Sequence, residues 1–131
     1  MSTPVALIIE DDEDLSQIFT QAMSAAGFVT ETIRDGRIAL QRLAEINPSV
    51  VLLDLHLPHI PGENLLKLIR SEKRMQDTRV VITTADTIAA ELLNEQADFV
   101  LVKPISYAQL RDLARRLNPD LQTGQLPPLP S

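Results

Sequence analysis

The side chains best suited to chemistry in this sequence are three carboxylates, a hydroxyl and an ammonium group, carried by Glu10, Asp11, Asp54, Thr84 and Lys103. Carboxylate oxygens are the ligands that a hard divalent cation such as Mg²⁺ or Mn²⁺ prefers. A carboxylate can also accept a phosphoryl group as an acyl phosphate. An ammonium and a hydroxyl can contact phosphoryl oxygens and neutralise their charge. The set therefore predicts metal-assisted phosphoryl transfer with Asp54 as the acceptor.

Each of these residues lies at the end of a short apolar run. The runs are rich in Val, Ile and Leu, do not alternate with polar residues, and cover positions 5–9, 50–53, 80–82 and 99–102. Buried parallel strands have this pattern. Ligand sites in an open parallel sheet lie outside the carboxyl ends of the strands. We therefore expect the five side chains, which are far apart in sequence, to be neighbours in space.

Helical periodicity separates the runs. A weak alternation over 28–33 predicts one further strand at the edge of the sheet, and two prolines with a glycine predict a loop over 57–62. Five alternating strands and helices predict an α/β fold with a doubly wound five-stranded parallel sheet. The apolar positions assigned to the five helices are Leu15, Ile18, Phe19, Ala22 and Ala26; Ile38, Leu40, Leu43, Ala44 and Ile46; Leu65, Leu66, Leu68 and Ile69; Ile88, Ala89, Leu92 and Leu93; and Leu110, Leu113, Ala114 and Leu117.

Composition and charge narrow the function classes. The chain has 131 residues, a net charge of -6 and no cysteine. This acidity argues against direct DNA binding, which needs a basic face, and the short apolar runs argue against a membrane span. The four glycines form no glycine-rich phosphate loop. We expect a cytoplasmic protein with one domain over 1–117 and a proline-containing, flexible C-terminal tail over 118–131.

Taken one at a time, the candidate residues have simpler explanations. Asp54 could cap a turn, Thr84 could be an ordinary β-branched strand residue, and Lys103 could extend along a strand end towards water. Their joint position at strand ends favours a metal and phosphoryl site. There, Asp11 and Asp54 would bind the metal directly, Glu10 would hold it through water, and the His56 backbone carbonyl would add an oxygen.

The motifs, in their order along the chain, resemble the receiver domain of two-component response regulators. The matching pieces are Ile8-Ile9-Glu10-Asp11-Asp12, Val51 to Pro58 with Gly62, Thr83-Thr84-Ala85 and Val102-Lys103-Pro104. The resemblance implies a flavodoxin-like (βα)5 fold with strand order 2-1-3-4-5. It implies that Asp54 takes a phosphoryl group from a histidine kinase or phosphotransfer protein. It also implies that Thr84 and Lys103 contact this group, beside the small residue Ala85, and it suggests a cis bond before Pro104, where an ordinary trans bond is the alternative.

The sequence departs from the family pattern behind the site. The family has an aromatic residue three positions before the lysine, where this chain has Val100, and Phe99 should point to the opposite side of the strand. The stretch between Thr84 and Lys103 is shorter than is common in the family, and this shortens the fourth helix. In the family, the positions of His56 and Asp86 tune loss of the phosphoryl group, although a solvent-facing loop histidine is the simpler interpretation of His56.

The expected function is a stand-alone receiver, monomeric or weakly dimeric, that binds an unidentified output protein when phosphorylated. It would not be a turnover enzyme beyond self-catalysed phosphoryl transfer and autodephosphorylation. One alternative is a receiver fragment of a longer regulator, and another is a pseudo-receiver acting as a constitutive interaction domain. A phosphatase-type hydrolase is a third, but His56 stands where such enzymes usually have an acid/base carboxylate.

Overall fold

The computed structural model describes residues 3–121 and contains five strands and five α-helices in strict alternation. Two 3-10 helices, at Lys73–Met75 and Pro119–Leu121, complete the described secondary structure. The strands are β1 (Val5–Ile9), β2 (Val29–Ile33), β3 (Val50–Asp54), β4 (Arg79–Thr84) and β5 (Phe99–Val102). The helices are α1 (Glu13–Ala25), α2 (Gly36–Glu45), α3 (Gly62–Ser71), α4 (Thr87–Leu93) and α5 (Tyr107–Leu117).

All strand pairs are parallel and the sheet order is β2-β1-β3-β4-β5. The predicted fold class and strand order are therefore confirmed, and β2 is an edge strand as expected. The register aligns Ile9 with Leu53 and Asp54 with Thr83. Because the strands run in the same direction, their carboxyl ends finish at one edge of the sheet.

The sheet is covered on both faces, which explains why its strands are continuously apolar. On one face, alternate strand residues such as Leu7, Leu53 and Ile82 pack with α2, α3 and α4. On the other face, residues such as Ile8 and Leu52 pack with α1 and α5. Every residue of β3 is buried, so its terminal carboxylate is held on a rigid, fully covered strand.

Polar side chains mark where the helices begin. Asp12, Asp35, Asp86 and Ser106 each accept a hydrogen bond from a backbone N–H in the first turn of the following helix. These acceptors satisfy donors that have no partner within the helix. Four of the five helix starts are therefore ordered by local side-chain hydrogen bonds, and the exception is α3, which begins after Pro61 without such a cap.

Three predicted helix faces were partly wrong, and in α1 the exception is Ile18, which is 37% exposed. In α2, Ile38 and Leu40 are exposed and the buried positions include Ala39 and Leu43. In α4, Ile88 is 70% and Leu92 73% exposed, whereas Ala90 and Leu93 are buried. A helix of seven residues makes about two turns, so hydrophobicity alone does not fix which side faces the sheet. The loop prediction was one residue too long, because Gly62 is the first residue of α3.

The segment after α5 begins with a buried anchor. Asn118 is 3% exposed, and its Nδ2 donates a hydrogen bond to the carbonyl of Ala26 at 2.8 Å. Asn118, the first residue of the predicted tail, is therefore packed against the segment that follows α1. The rest of the predicted tail, residues 122–131, lies outside the described residues. Within the described part, the longest helix has 13 residues, and none is long and apolar enough to cross a bilayer.

Candidate metal and phosphoryl site

The parallel register brings the sequence-predicted residues together at the carboxyl edge of the sheet. Glu10 and Asp11 follow β1, and the alignment of Ile9 with Leu53 brings Glu10 level with Asp54 on the neighbouring strand. Thr84 ends β4, and its carbonyl accepts a hydrogen bond from the backbone N–H of Lys103 at 2.7 Å. The four strands that carry the candidate residues therefore end at one edge, as expected from the sequence.

The three carboxylates form a compact acidic group. One oxygen from each of Glu10, Asp11 and Asp54 lies within 4.8 Å of the others. Glu10 and Asp54 are buried, whereas Asp11 is exposed at the rim. Like charges at this spacing repel, so the group needs a proton or a cation to be stable.

Asp54 shows the effect of this crowding. Burial and then the neighbouring Glu10 carboxylate raise the pKa of its carboxyl to about 7, against the lowering effects of the His56 N–H and Lys103. The His56 backbone N–H donates to Asp54 Oδ1 at 3.2 Å. Without a cation, Asp54 is therefore substantially protonated near neutral pH, and a bound cation would favour its ionised form.

Lys103 supplies the positive charge in the site. Its Nζ lies 2.9 Å from Glu10 Oε1 and 3.6 Å from Asp54 Oδ1. Burial by itself would lower the pKa of Lys103, but the Glu10 and Asp54 carboxylates outweigh it and hold the pKa above its ordinary value. The lysine is therefore a permanent cation here. The peptide bond between Lys103 and Pro104 is cis, the isomer that the resemblance suggested.

Thr84 is fully buried, and its Oγ1 accepts a hydrogen bond from the backbone N–H of Asp86 at 3.0 Å. Asp86 in turn caps α4 through bonds from Ile88 and Ala89. The adjacent Ala85 is exposed, so no bulky side chain stands at that position. The hydroxyl is thus fixed at the start of the β4–α4 loop, and among residues 3–121 no side chain or carbonyl accepts its proton.

Two neighbouring residues of β5 lie on opposite faces of the sheet, and two polar residues lie at the rim of the site. Val100 packs against the core on the α2, α3 and α4 face, and Phe99 packs against the opposite core. The expected divergence of these two neighbours is confirmed, and an aromatic side chain behind Thr84 is absent from β5. His56 and Asp86 are both exposed at the rim, next to the site rather than within it.

One residue at this edge was not among the sequence-predicted candidates. Arg34 directly follows β2, and its Nη2 donates to the backbone carbonyl of Asp11 at 3.2 Å. The guanidinium tethers the loop that carries the acidic pair. Its position immediately after a strand was the signal that could have identified it, because the same rule selected the other residues.

The donor set fits a hard divalent cation. Glu10 Oε1 is buried and accepts no hydrogen bond of normal geometry from any residue in the range 3–121, although the Lys103 ammonium lies near it. This buried carboxylate oxygen, grouped with the carboxylates of Asp11 and Asp54, matches the oxygen ligands of Mg²⁺. The side chains of Asp11 and Asp54, with Glu10 and the backbone of His56, are the groups that would hold it.

Comparisons with known proteins agree with this geometry. The family model described as "Response regulator receiver domain" matches residues 6–115. A putative transcriptional regulator of Haloferax volcanii is 34% identical over 113 residues, covering 86% of this chain and 19% of that protein. The regulatory protein AtoC of Escherichia coli is 32% identical over 113 residues, covering 84% of this chain and 24% of that protein.

Solved structures of receiver domains are also similar to this chain. A CheY-like response regulator receiver domain from Methylobacillus flagellatus has a TM-score of 0.78 at 26% identity, covering 89% of this chain and 100% of that one. The signal receiver domain of a putative LuxO repressor protein from Vibrio parahaemolyticus has a TM-score of 0.76 at 28% identity, covering 88% and 91%. This chain spans less than half the length of the curated relatives it matches. With the family model matching most of its length, the chain belongs to the response regulator receiver domains.

Proposed function

We propose that this receiver domain accepts a phosphoryl group on Asp54, with Mg²⁺ or Mn²⁺ as cofactor, and signals through phosphorylation-dependent protein–protein contact. The observation that carries the proposal is the placement of Asp54. Its carboxylate is buried at the end of β3, within 4.8 Å of two further carboxylates and 3.6 Å from the Lys103 ammonium. A carboxylate suited to accept the group, an ammonium and two further carboxylates suited to a cation thus occur together, which supports the proposal.

The transfer would begin with a carboxylate oxygen of Asp54 attacking the phosphorus of the donor. With a phosphohistidine donor, the P–N bond breaks, and the imidazole nitrogen keeps the electron pair. The product is an acyl phosphate on Asp54. The bound metal ion would neutralise the carboxylates and the charge on the transferred group.

The chain's own residues would position and neutralise this group. Lys103, which pairs with Glu10 at 2.9 Å, is close enough to Asp54 to contact a phosphoryl oxygen. Thr84 would donate its hydroxyl proton while its oxygen keeps the bond from Asp86. The exposed side chains of His56 and Asp86 would control how readily water reaches the acyl phosphate.

The partners follow from the chemistry and the family. A histidine kinase or phosphotransfer protein would supply the phosphoryl group, and a separate output protein would read the phosphorylated state. Some relatives are described as DNA-binding response regulators, whereas the net charge of -6 here opposes direct DNA contact. We propose that the domain acts as a monomer or weak dimer.

Intact-mass spectrometry after incubation with acetyl phosphate tests the proposal directly. We expect one phosphoryl adduct on the wild-type protein with Mg²⁺, and none with excess chelator or on Asp54→Asn. The substitution is nearly isosteric, so the fold should be retained. An adduct on Asp54→Asn would refute the acceptor assignment. The absence of any adduct would favour a constitutive interaction domain, and catalytic turnover of a phosphomonoester would favour a hydrolase.

A further inference from the structure

The loop between β3 and α3, residues 55–61, lies against the N-terminus of α2. His59 Nδ1 lies 2.7 Å from Asp35 Oδ2, and Arg37 Nη2 lies 3.5 Å from His59 Nε2. A carboxylate only accepts hydrogen bonds, so the ring donates from Nδ1. Asp35 uses its other oxygen, Oδ1, to accept the N–H of Arg37 at 2.7 Å and thereby cap α2. One carboxylate thus joins the helix start to the loop.

The loop is held in an unfavourable backbone conformation at this contact. His59 has a φ of 71°, in the left-handed region that non-glycine residues rarely adopt. The N–H of Ile60 donates to the carbonyl of Pro58 at 2.9 Å, which closes a three-residue turn around His59. Such a conformation persists only where the surroundings hold it in place.

Close packing joins the loop to α2 at one end and to Asp54 at the other. The N–H of Gly36 donates to the carbonyl of Pro58 at 3.2 Å, and a Cβ on Gly36 would lie 2.5 Å from the Ile60 carbonyl oxygen. A Cβ on Gly62 would lie 2.3 Å from the Asp54 carbonyl oxygen. Both glycines are therefore needed for these approaches, and the loop has little freedom to shift without moving Asp54.

We infer that His59 and Asp35 are positioning residues for the phosphoacceptor site, acting through the hydrogen bond that fixes the β3–α3 loop. This inference rests on the proposed function. His56 lies in the same loop, three residues before His59, and its N–H bonds to Asp54 Oδ1. Release of His59 from Asp35 would loosen the backbone of His56 and so weaken the site's hold on a divalent cation.

Two substitutions separate this role from general stability. Asp35→Ser keeps a good helix cap but has no second oxygen for His59. His59→Asn removes the imidazole and keeps a residue type that tolerates a left-handed φ. The matched control is Glu31→Gln. Glu31 lies in β2 and forms a 2.6 Å ion pair with Arg42 of α2, so the substitution removes a charge pair on α2 without contacting the loop.

The first measurement needs no metal. Hydrogen exchange in chelator reports the amides of Ile60 and Gly36, which both donate to Pro58. We expect exchange at these amides to be about tenfold faster in Asp35→Ser and in His59→Asn, because a local contact is lost. Glu31→Gln should exchange like the wild type. Unchanged exchange in both test variants would overturn the inference.

The second measurement is Mg²⁺ titration by calorimetry. Each test variant should raise the dissociation constant by roughly 3- to 10-fold, less than the roughly 10- to 100-fold loss typical of residues that hydrogen-bond a metal ligand directly, because His59 and Asp35 act through the loop backbone. The double variant should bind Mg²⁺ no more weakly than the single variant with the lower affinity, since both substitutions remove the same hydrogen bond. Unchanged affinity, or effects that multiply in the double variant, would refute the pairing.

Failure of the wild-type protein to form an acetyl phosphate adduct would instead refute the proposed function, independently of these comparisons.

Discussion

Lys103 Nζ lies closer to Glu10, at 2.9 Å from Oε1, than to the proposed phosphoacceptor Asp54, at 3.6 Å from Oδ1. The lysine therefore compensates the acidic group in the unphosphorylated state. A phosphoryl group on Asp54 would add negative charge within reach of the same ammonium. Lys103 is thus placed to move between two partners over a short distance, because both carboxylates adjoin its Nζ.

Replacing this lysine tests its charge. Lys103→Gln should slow adduct formation with acetyl phosphate at least about tenfold, because a positive charge beside the transferred group is lost. It should also raise the pKa of Asp54 further, since Lys103 lowers it in the wild type. Intact-mass kinetics and NMR titration of Asp54 measure the two effects. Lys67→Gln removes an exposed lysine paired with Glu63 and should change neither.

The raised pKa of Asp54 predicts that stability falls with increasing pH in the absence of metal. The carboxyl has a pKa of about 7 when folded, against an ordinary value of 3.8. Between these values the unfolded chain binds fewer protons than the folded one, so the free energy of unfolding decreases as pH rises. This loss of stability is complete above the pKa of Asp54 in the folded protein and absent below its pKa in the unfolded chain.

Asp54→Asn should therefore be more stable than the wild type at pH 8 in chelator, by about 1–3 kcal/mol. The difference should shrink towards pH 4. Urea unfolding at both pH values checks this, and a difference that grows at low pH would contradict the raised pKa of Asp54.

Mg²⁺ should stabilise the folded domain at pH 8. Metal at ten times its dissociation constant adds about 1.4 kcal/mol to the free energy of unfolding. Asp11→Asn should lose most of this gain, because Asp11 contributes one of the three converging carboxylates and is exposed, so its replacement does not disturb the core. Thermal unfolding with and without Mg²⁺ measures the gain.

Asp14→Asn is the control for that experiment. It removes an acidic residue from the first turn of α1, outside the carboxylate group. It should respond to Mg²⁺ like the wild type. Equal responses of Asp11→Asn and the wild type would argue against a metal-binding role for Asp11.

The contact between Gly27 and Asn118 predicts a structural weakness far from the site. Gly27 has a φ of 97°, and a Cβ there would lie 2.7 Å from Asn118 Nδ2. Gly27→Ala should lower the free energy of unfolding by about 1–3 kcal/mol, from the left-handed backbone and the steric clash. Urea unfolding checks the value.

Asn118→Ala separates the two causes. It removes the bond to Ala26 and should itself destabilise by about 1–3 kcal/mol. In that background Gly27→Ala should cost less, because the clash is gone and only the backbone strain remains. Strict additivity would show that the clash contributes nothing.

The sequence by itself determined the strand cores, the alternation of strands and helices, and the convergence of Glu10, Asp11, Asp54, Thr84 and Lys103. These predictions held because continuous apolar runs have few other uses than buried parallel strands, and parallel strands bring their carboxyl ends to one edge. The type and order of the polar residues after each run then specified the chemistry that could occur there.

The tertiary structure decided which faces of the short helices are buried, and which charges actually pair. Ile88 and Leu92 are exposed because the placement of α4 against the sheet, not its apolar count, sets its buried side. The Lys103–Glu10 pair, the Arg34 tether and the His59–Asp35 bond join residues far apart in the chain. The strand-end pattern can place residues such as Arg34 at this edge, but the pairs that form depend on distances between loops, about which local sequence patterns carry no information.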